Sequence, residues 1–413
     1  MKTLYQKYFL EQRAVIIFLF LLIAFLPFSS WLVSLTGITQ ISLIRDVLLF
    51  LVLLSALPVL LRNKKLEHKP QFLAGLLFVA WALLSVIWRE PSLEQWVRGL
   101  RFTLPPIVLF LILSQIKIPL RRLAFLVNAV CLAAILIAIT ALLDVFNSPL
   151  PLTTSLSGSG TLESAHYVGL LMIKRAQGIM AGPNALGLFL LPAFAISITW
   201  PSKSLWPKIL SLVLAMLIVL TFSRSALIGL LVIVLLLFWQ KAKDKIGSIK
   251  TIIISLALLL LLVCAGFVIN KTTWGKQVIS HNSSSSLRLE QYQRIWQQKY
   301  NIGLIGRGLG TAGPSSINRL DGGENHWTEN VYLDVFEELG LVGTIIFIIF
   351  IIVLIVKTSK INNNLGRATS LALWAFAISG IFINIYTGQA GFWYVMLLLG
   401  LAINTQNNNK DTK

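Results

Sequence analysis

The sequence predicts an all-α polytopic membrane protein of about twelve transmembrane helices, with one large outer loop between the ninth and the tenth. Three observations carry this prediction. Of 413 residues, 56% are hydrophobic and only 12% are charged. The mean hydropathy is +0.80, and the apolar residues fall in uncharged runs able to cross a bilayer core of about 30 Å. Lys and Arg recur in alternate connecting segments, as in chains oriented by their cytoplasmic positive charge. Such a composition excludes a soluble enzyme, a disordered chain and a disulfide scaffold. Cys131 and Cys264 both lie inside apolar runs and read as small buried hydrophobes, not as a bridge or metal ligands.

The spans are expected at about 14–35, 43–61, 71–88, 102–116, 123–143, 184–200, 209–222, 225–240, 251–269, 344–356, 368–386 and 391–404. The first is too long for a cleaved signal peptide, and Ser34-Leu35-Thr36 leads into more membrane. With the N-terminus placed in the cytoplasm, 21 of the 35 basic residues fall in short inside segments. Parity then holds along the whole chain, with both termini inside. The apolar stretch 209–240 is interrupted by Ser223-Arg224-Ser225. One helix would put Lys208 and Lys241 on opposite sides, so two short helices meeting near Arg224 are expected.

Three divisions are expected: helices 1–5 in 1–170, a core in 171–360 that includes the outer loop 270–343, and the last two helices in 361–413. A loop of that length between spans is uncommon unless it is functional. The formal charge of +19 first suggests a nucleic-acid partner. The inside segments contribute +17 of it, with Glu11, Glu67, Asp244 and Asp411 as their acids. The excess is therefore topology, and no nucleic-acid partner is expected.

On the outer side arginine outnumbers lysine, ten to four, with Arg45, Arg98 and Arg101 among the ten. Guanidinium forks suit phosphate oxygens and stay charged near a membrane; for any single residue, a solvated loop charge is an equally good reading. Arg224, inside some thirty apolar residues, is costly to hold against lipid. Snorkelling to the interface is the bland alternative to a place in a polar cavity. Arg288, Tyr292 and Trp296 have helical spacing, which fits a sugar-stacking platform beside an anion donor or an interfacial amphipathic helix.

Acids are dense from Glu324 to Glu338. Glu329 precedes an amphipathic helix, where it could be a general base toward a hydroxyl or a helix-capping acid. His326 is the rival base, although one His in a polar loop is more often incidental. The run Gly303-Leu304-Ile305-Gly306-Arg307-Gly308-Leu309-Gly310 lacks the strand and the Lys-Ser/Thr of a P-loop. It reads as a turn for close backbone packing. No ligand set has metal-site spacing, and no cofactor is expected.

Four segments, in order, resemble the O-antigen ligase and polymerase superfamily of bacterial envelope glycosyltransferases. They are Arg175 to Gly182-Pro183-Asn184; Ser223-Arg224-Ser225-Ala226; Ser286-Leu287-Arg288 through Trp296 to Gly306–Gly310; and Glu329-Asn330 followed by Gly340-Leu341-Val342-Gly343. The resemblance implies a GT-C-like fold in the bacterial inner membrane with a periplasmic active site. It implies an inverting, metal-independent transfer of a glycan from undecaprenyl pyrophosphate to an acceptor sugar hydroxyl. Carried over by position, Arg224 and Arg288 would hold the pyrophosphate and Glu329 would be the base. Arg175, Asn330 and Trp296 would help to bind substrate.

Ligases of the superfamily usually carry His-Asn where this chain has Glu329-Asn330. The difference tilts the expectation toward a Wzy-like polysaccharide polymerase over a WaaL-like O-antigen ligase, and leaves His326 as a substitute for the missing histidine. The implied partners are the lipid-linked donor, a glycan or lipid A-core acceptor, the bilayer, and for a polymerase a chain-length regulator. A lipid-linked oligosaccharide flippase is the alternative of another class. It would bury paired charges within its helices, whereas eleven of the sixteen acids here fall in outer loops.

Overall fold

The computed structural model describes residues 2–62, 70–146, 155–156, 162–163, 167–168, 173–246, 282–317, 319–323, 326–384 and 390–411. Among them the chain is helical apart from two antiparallel pairs of two-residue strands. Ser155–Leu156 pairs with Leu162–Glu163, and Tyr167–Val168 with Ile173–Lys174. The helices in chain order are α1 (Lys2–Phe25), α2 (Ser29–Thr36), α3 (Leu43–Arg62), α4 (Pro70–Leu84), α5 (Leu93–Thr103), α6 (Pro105–Gln115) and α7 (Leu120–Val145). They continue with α8 (Pro183–Thr199), α9 (Trp206–Leu220), α10 (Arg224–Ile246), α11 (Asn282–Ile302), α12 (Val331–Ser359), α13 (Asn364–Ser379) and α14 (Ala390–Asp411).

The chain is a multi-pass membrane protein. Among the described residues, five segments are long and apolar enough to cross a bilayer: Arg13–Thr36, Thr39–Leu61, Leu120–Val145, Arg224–Ala242 and Val331–Ser359. The pair α5–α6, bent by 50°, makes a sixth if it is one broken span, and four further apolar helices are shorter. Helices stand where the sequence expects spans, and among the described residues length and composition alone give five or six candidate crossings, which does not confirm the expected count of about twelve. The expected span 251–269 lies outside the described residues.

Two helices form the centre. In α8 every residue from Ala185 to Ser197 is buried, and in α14 every residue from Ala390 to Thr405 is buried. A helix apolar all round belongs inside other helices. The rings of Phe189 and Tyr394 meet at 5.0 Å, and the Tyr394 hydroxyl donates to Ile23 O at 2.7 Å. Asn404 ties α14 to α6, donating to Leu113 O at 2.7 Å and accepting from Ile118 N at 2.9 Å. Outer helices expose apolar stripes instead. Ile345, Ile349, Ile352 and Val356 lie exposed along one face of α12, which suits lipid and not water.

The break in 209–240 falls as expected, at residues 221–223. It is a reversal. A Cβ on Gly187 would lie 2.5 Å from Ala226 Cβ, and one on Gly229 would lie 2.6 Å from Leu191. Contacts that advance together along α8 and α10 make those helices parallel, whereas α9 returns along α8. Lys208 and Lys241 therefore share a side. The turn puts Phe222 at φ 48°, a left-handed conformation that a residue with a Cβ adopts only when its surroundings hold it.

Helix α12 is two helices joined at Gly340, whose φ of 69° and ψ of −171° leave the helical region. The short outer part carries Asp334, Glu337 and Glu338; the longer part is the span. At the joint the 303–306 turn packs backbone to backbone on α12, with Val342 N donating to Leu304 O at 3.1 Å. A Cβ on Gly340 would sit 2.3 Å from Leu304 O and 2.4 Å from Gly306 N. Gly340→Ala should therefore destabilise the fold by about 2–5 kcal/mol, combining left-handed strain with overpacking. A thermal midpoint of the purified protein equal to wild type would contradict this joint.

Candidate functional site

The first half of the site is a corner where the 175–184 segment meets the α9–α10 turn. Ala176 N donates to Leu220 O at 2.9 Å, and Arg175 Nε donates to Thr221 O at 2.8 Å. Arg175 Nη2 also donates to Asn184 Oδ1 at 3.3 Å, in the first turn of α8. Arg224 opens α10 beside it, half-buried. Ser223 Oγ lies 3.1 Å from Ser225 Oγ and accepts from Ala226 N at 3.4 Å, capping the helix start. Burial and the nearby Arg224 guanidinium push the Arg175 pKa down to about 10. The two guanidiniums repel each other. An anion bridging them would relieve that repulsion.

Asp144, at the end of α7, sets the segment in place. It is buried against Lys174 Nζ at 2.6 Å and accepts from Gln177 N at 3.2 Å and Gly178 N at 3.1 Å. The side chain before Arg175 and the backbone just after it are thus held by one carboxylate. The sequence showed Asp144 only as a lone acid ending an apolar run.

The second half is the Glu329-Asn330 start of α12. Asn330 caps the helix, its Oδ1 accepting from Tyr332 N at 3.0 Å and Leu333 N at 3.2 Å. Glu329 is half-buried and is not the capping side chain. Val331 N donates to Gly380 O at 2.9 Å, and Ser379 Oγ donates to Ser225 O at 2.8 Å. The end of α13 therefore joins the residues next to Glu329 to the residue next to Arg224. Tyr292 of α11 reaches the same place, its hydroxyl donating to Ile381 O at 3.3 Å. Segments far apart in sequence meet around residues 379–381.

Behind this junction the outer loop is built on buried acids. Glu338 accepts from Gly310 N at 2.8 Å, and Gln95 Nε2 donates to Gly310 O and Ser315 O, each at 2.8 Å. Asp334 accepts from Thr328 N at 3.2 Å and from Asn384 Nδ2. Glu337 is bound by His326 Nδ1 and by Arg307 Nη1 at 3.4 Å, and Arg307 Nε reaches Glu90 at 2.6 Å. Each buried carboxylate thus finds donors, as burial of charge requires.

His326, the rival base, is neither loose nor solvent-facing in its loop. It is 3% exposed and packed on Glu337. Arg307 likewise bridges structural groups, and the glycine run is the close-packed turn expected. Trp296 is 70% exposed and lies 3.9 Å from Lys299 Nζ, away from the enclosed junction. Arg288 is placed by its backbone in α11, but its side chain lies outside the described residues, as do Glu324, Asn325 and Cys264. Among the described residues, no group of three or more His, Cys, Asp or Glu could hold a metal ion.

Fold and junction together define a polytopic membrane protein with a cationic corner and a carboxylate brought together at helix starts. Residues 209–348 match the family model described as O-Antigen ligase, in agreement with the resemblance that the four motifs carry. The match spans α9 to the first part of α12. It contains Arg224, Arg288, Trp296, His326, Glu329 and Asn330, whereas Arg175 lies before it. No curated protein matches the chain.

Proposed function

We propose that the protein is an inverting, metal-independent glycosyltransferase that moves a glycan from undecaprenyl pyrophosphate to an acceptor sugar hydroxyl. The reaction belongs to O-antigen, capsule or exopolysaccharide synthesis and is polymerisation, in the sense that one lipid-linked glycan accepts another. The observation that carries this reading is the link from Val331 through Gly380 and Ser379 to Ser225, which joins Glu329 to the Arg175–Arg224 corner. Glu329 takes the proton from the acceptor hydroxyl. The freed oxygen attacks the anomeric carbon as the bond to the pyrophosphate oxygen breaks. Arg175, Arg224 and Arg288 balance the charge that develops on the leaving pyrophosphate, where fixed cations lower a barrier most. Asn330 shapes the base's position through its cap, and Trp296 offers an exposed ring to an arriving sugar.

His326 is assigned a structural role, since its ring faces Glu337. His326→Ala would leave Glu337 buried with one donor fewer, at a cost of about 3–5 kcal/mol. It should lower the thermal midpoint while preserving most transfer at low temperature. Loss of transfer from a variant that is still folded would make His326 the base.

The second reading is an O-antigen ligase acting on lipid A-core, favoured by the description of the matching family. Deleting the gene and separating envelope glycans on a gel decides between them. Single-repeat glycan on the lipid core indicates a lost polymerase; bare core with accumulated lipid-linked polymer indicates a lost ligase. Unchanged glycans would overturn both. In this reading the protein lies in the inner membrane with both termini cytoplasmic and the junction periplasmic, and a polymerase would work with a chain-length regulator.

A further inference from the structure

A second cationic cavity, of about 570 Å³, opens between α2, the start of α3 and α5. Arg45, Arg98 and Arg101 line it. Asp46 clamps two of them, accepting from Arg101 Nε at 2.8 Å and from Arg45 Nε and Nη2 at 3.0 Å each. The Arg45 guanidinium also lies 5.6 Å from the Trp393 ring centroid, which fixes it against the central helix. Glu94 is the acid of the lining. Three guanidiniums against Glu94 and Asp46 leave one positive charge in excess, and Arg98 lies near enough to Arg101 for the two to repel.

The rest of the wall is apolar at Val33, Val97, Phe102 and Leu320 and carries the hydroxyls of Ser29, Ser30 and Ser42. Val97 and its neighbour Leu93 are also exposed on α5. Fixed guanidiniums beside an apolar wall suit a phosphate carried on a hydrocarbon chain, because the forks take its oxygens and the wall takes its first carbons. Ala181 closes one side of the cavity. It belongs to the same short segment as Arg175, so the cavity adjoins the proposed transfer site without sharing its arginines.

We propose that this cavity is a second lipid-phosphate site, which holds the phosphate of the acceptor's lipid anchor while the Arg175–Arg224 corner holds the donor's. Its assignment to the acceptor rests on the glycan-transfer reading; the binding of a prenyl phosphate does not. Two lipid-anchored substrates must be held at once for one to attack the other, and each brings its own phosphate charge.

The test is a titration of the purified full-length protein with geranylgeranyl pyrophosphate, counting bound molecules by native mass spectrometry. Wild type should bind two. Arg98→Gln and the double variant Arg98→Gln/Arg101→Gln should each weaken one site about tenfold or more, the scale of a lost charge-assisted hydrogen bond. Arg224→Gln should weaken the other. The single variant leaves the Arg101–Asp46 pair intact, so misfolding of the double variant would not hide the result. Geranylgeraniol and inorganic pyrophosphate should both bind this site more weakly. Equal binding of inorganic pyrophosphate would overturn the lipid assignment, and one bound molecule in wild type, or two undiminished in Arg98→Gln, would overturn the site. With glycan substrates, Arg98→Gln should raise the acceptor KM about tenfold and leave the donor KM unchanged; the reverse pattern would overturn the acceptor assignment. If wild type transfers no glycan, the transfer reading fails while the binding count still decides the cavity.

Discussion

Glu329→Gln should lower glycan transfer by about 10²–10⁴-fold, the range that a positioned general base contributes. The substitution keeps the side chain's shape and removes its capacity to take a proton. Asn330, not Glu329, caps α12, so the helix start should survive the change. The measurement is transfer from a purified undecaprenyl-pyrophosphate glycan by wild type and variant, with membrane insertion and thermal midpoint checked alongside. A Glu329→Gln protein that transfers at the wild-type rate would remove the base assignment. Activity in both Glu329→Gln and Glu329→Ala, lost instead in a folded His326→Ala protein, would move that role to the histidine.

Arg224→Ala should reduce transfer by about 10²–10³-fold, comparable to the loss of one fixed donor at a developing negative charge. Arg224→Lys should recover only part of it, because an ammonium keeps the charge but loses the planar fork. The helix itself should tolerate the alanine, since Ser223 supplies the cap hydrogen bond to Ala226 N. Kinetics with saturating donor separate the roles. A fall in kcat at saturation means the guanidinium acts on the leaving group, whereas a rise in donor KM alone would mean that it only binds. An Arg224→Ala protein with unaltered kcat and KM would leave the corner without a catalytic part.

Much of the candidate site stood out in the sequence because its residues break a local rule. Arg224 stood out as a cation in an apolar run, and the parity of Lys208 and Lys241 required a reversal next to it. Glu329 stood out in a dense acidic patch before an amphipathic helix. The surroundings of His326 were not legible in the sequence. Its partner Glu337 is eleven residues away, across a loop whose path depends on Gln95, Glu338 and the Gly340 joint. Asp144 was missed because one acid at the end of an apolar run is ordinary, and only its contacts with Lys174, Gln177 and Gly178 reveal its use.

Hydropathy and charge parity determined by themselves that this is a helical membrane protein, and the order of four short motifs carried its resemblance to the O-antigen ligase and polymerase superfamily. Those properties are sums and spacings along one chain, and the cost of placing charge in lipid writes them directly into residue order. Only the tertiary structure decided that Arg175, Arg224 and Glu329 belong to one junction, that His326 serves Glu337, and that Arg45, Arg98 and Arg101 share a second cavity. Those facts depend on helix packing and on hydrogen bonds between residues dozens to hundreds of positions apart. No local pattern encodes them, because the energy that selects each contact is shared between segments distant in sequence.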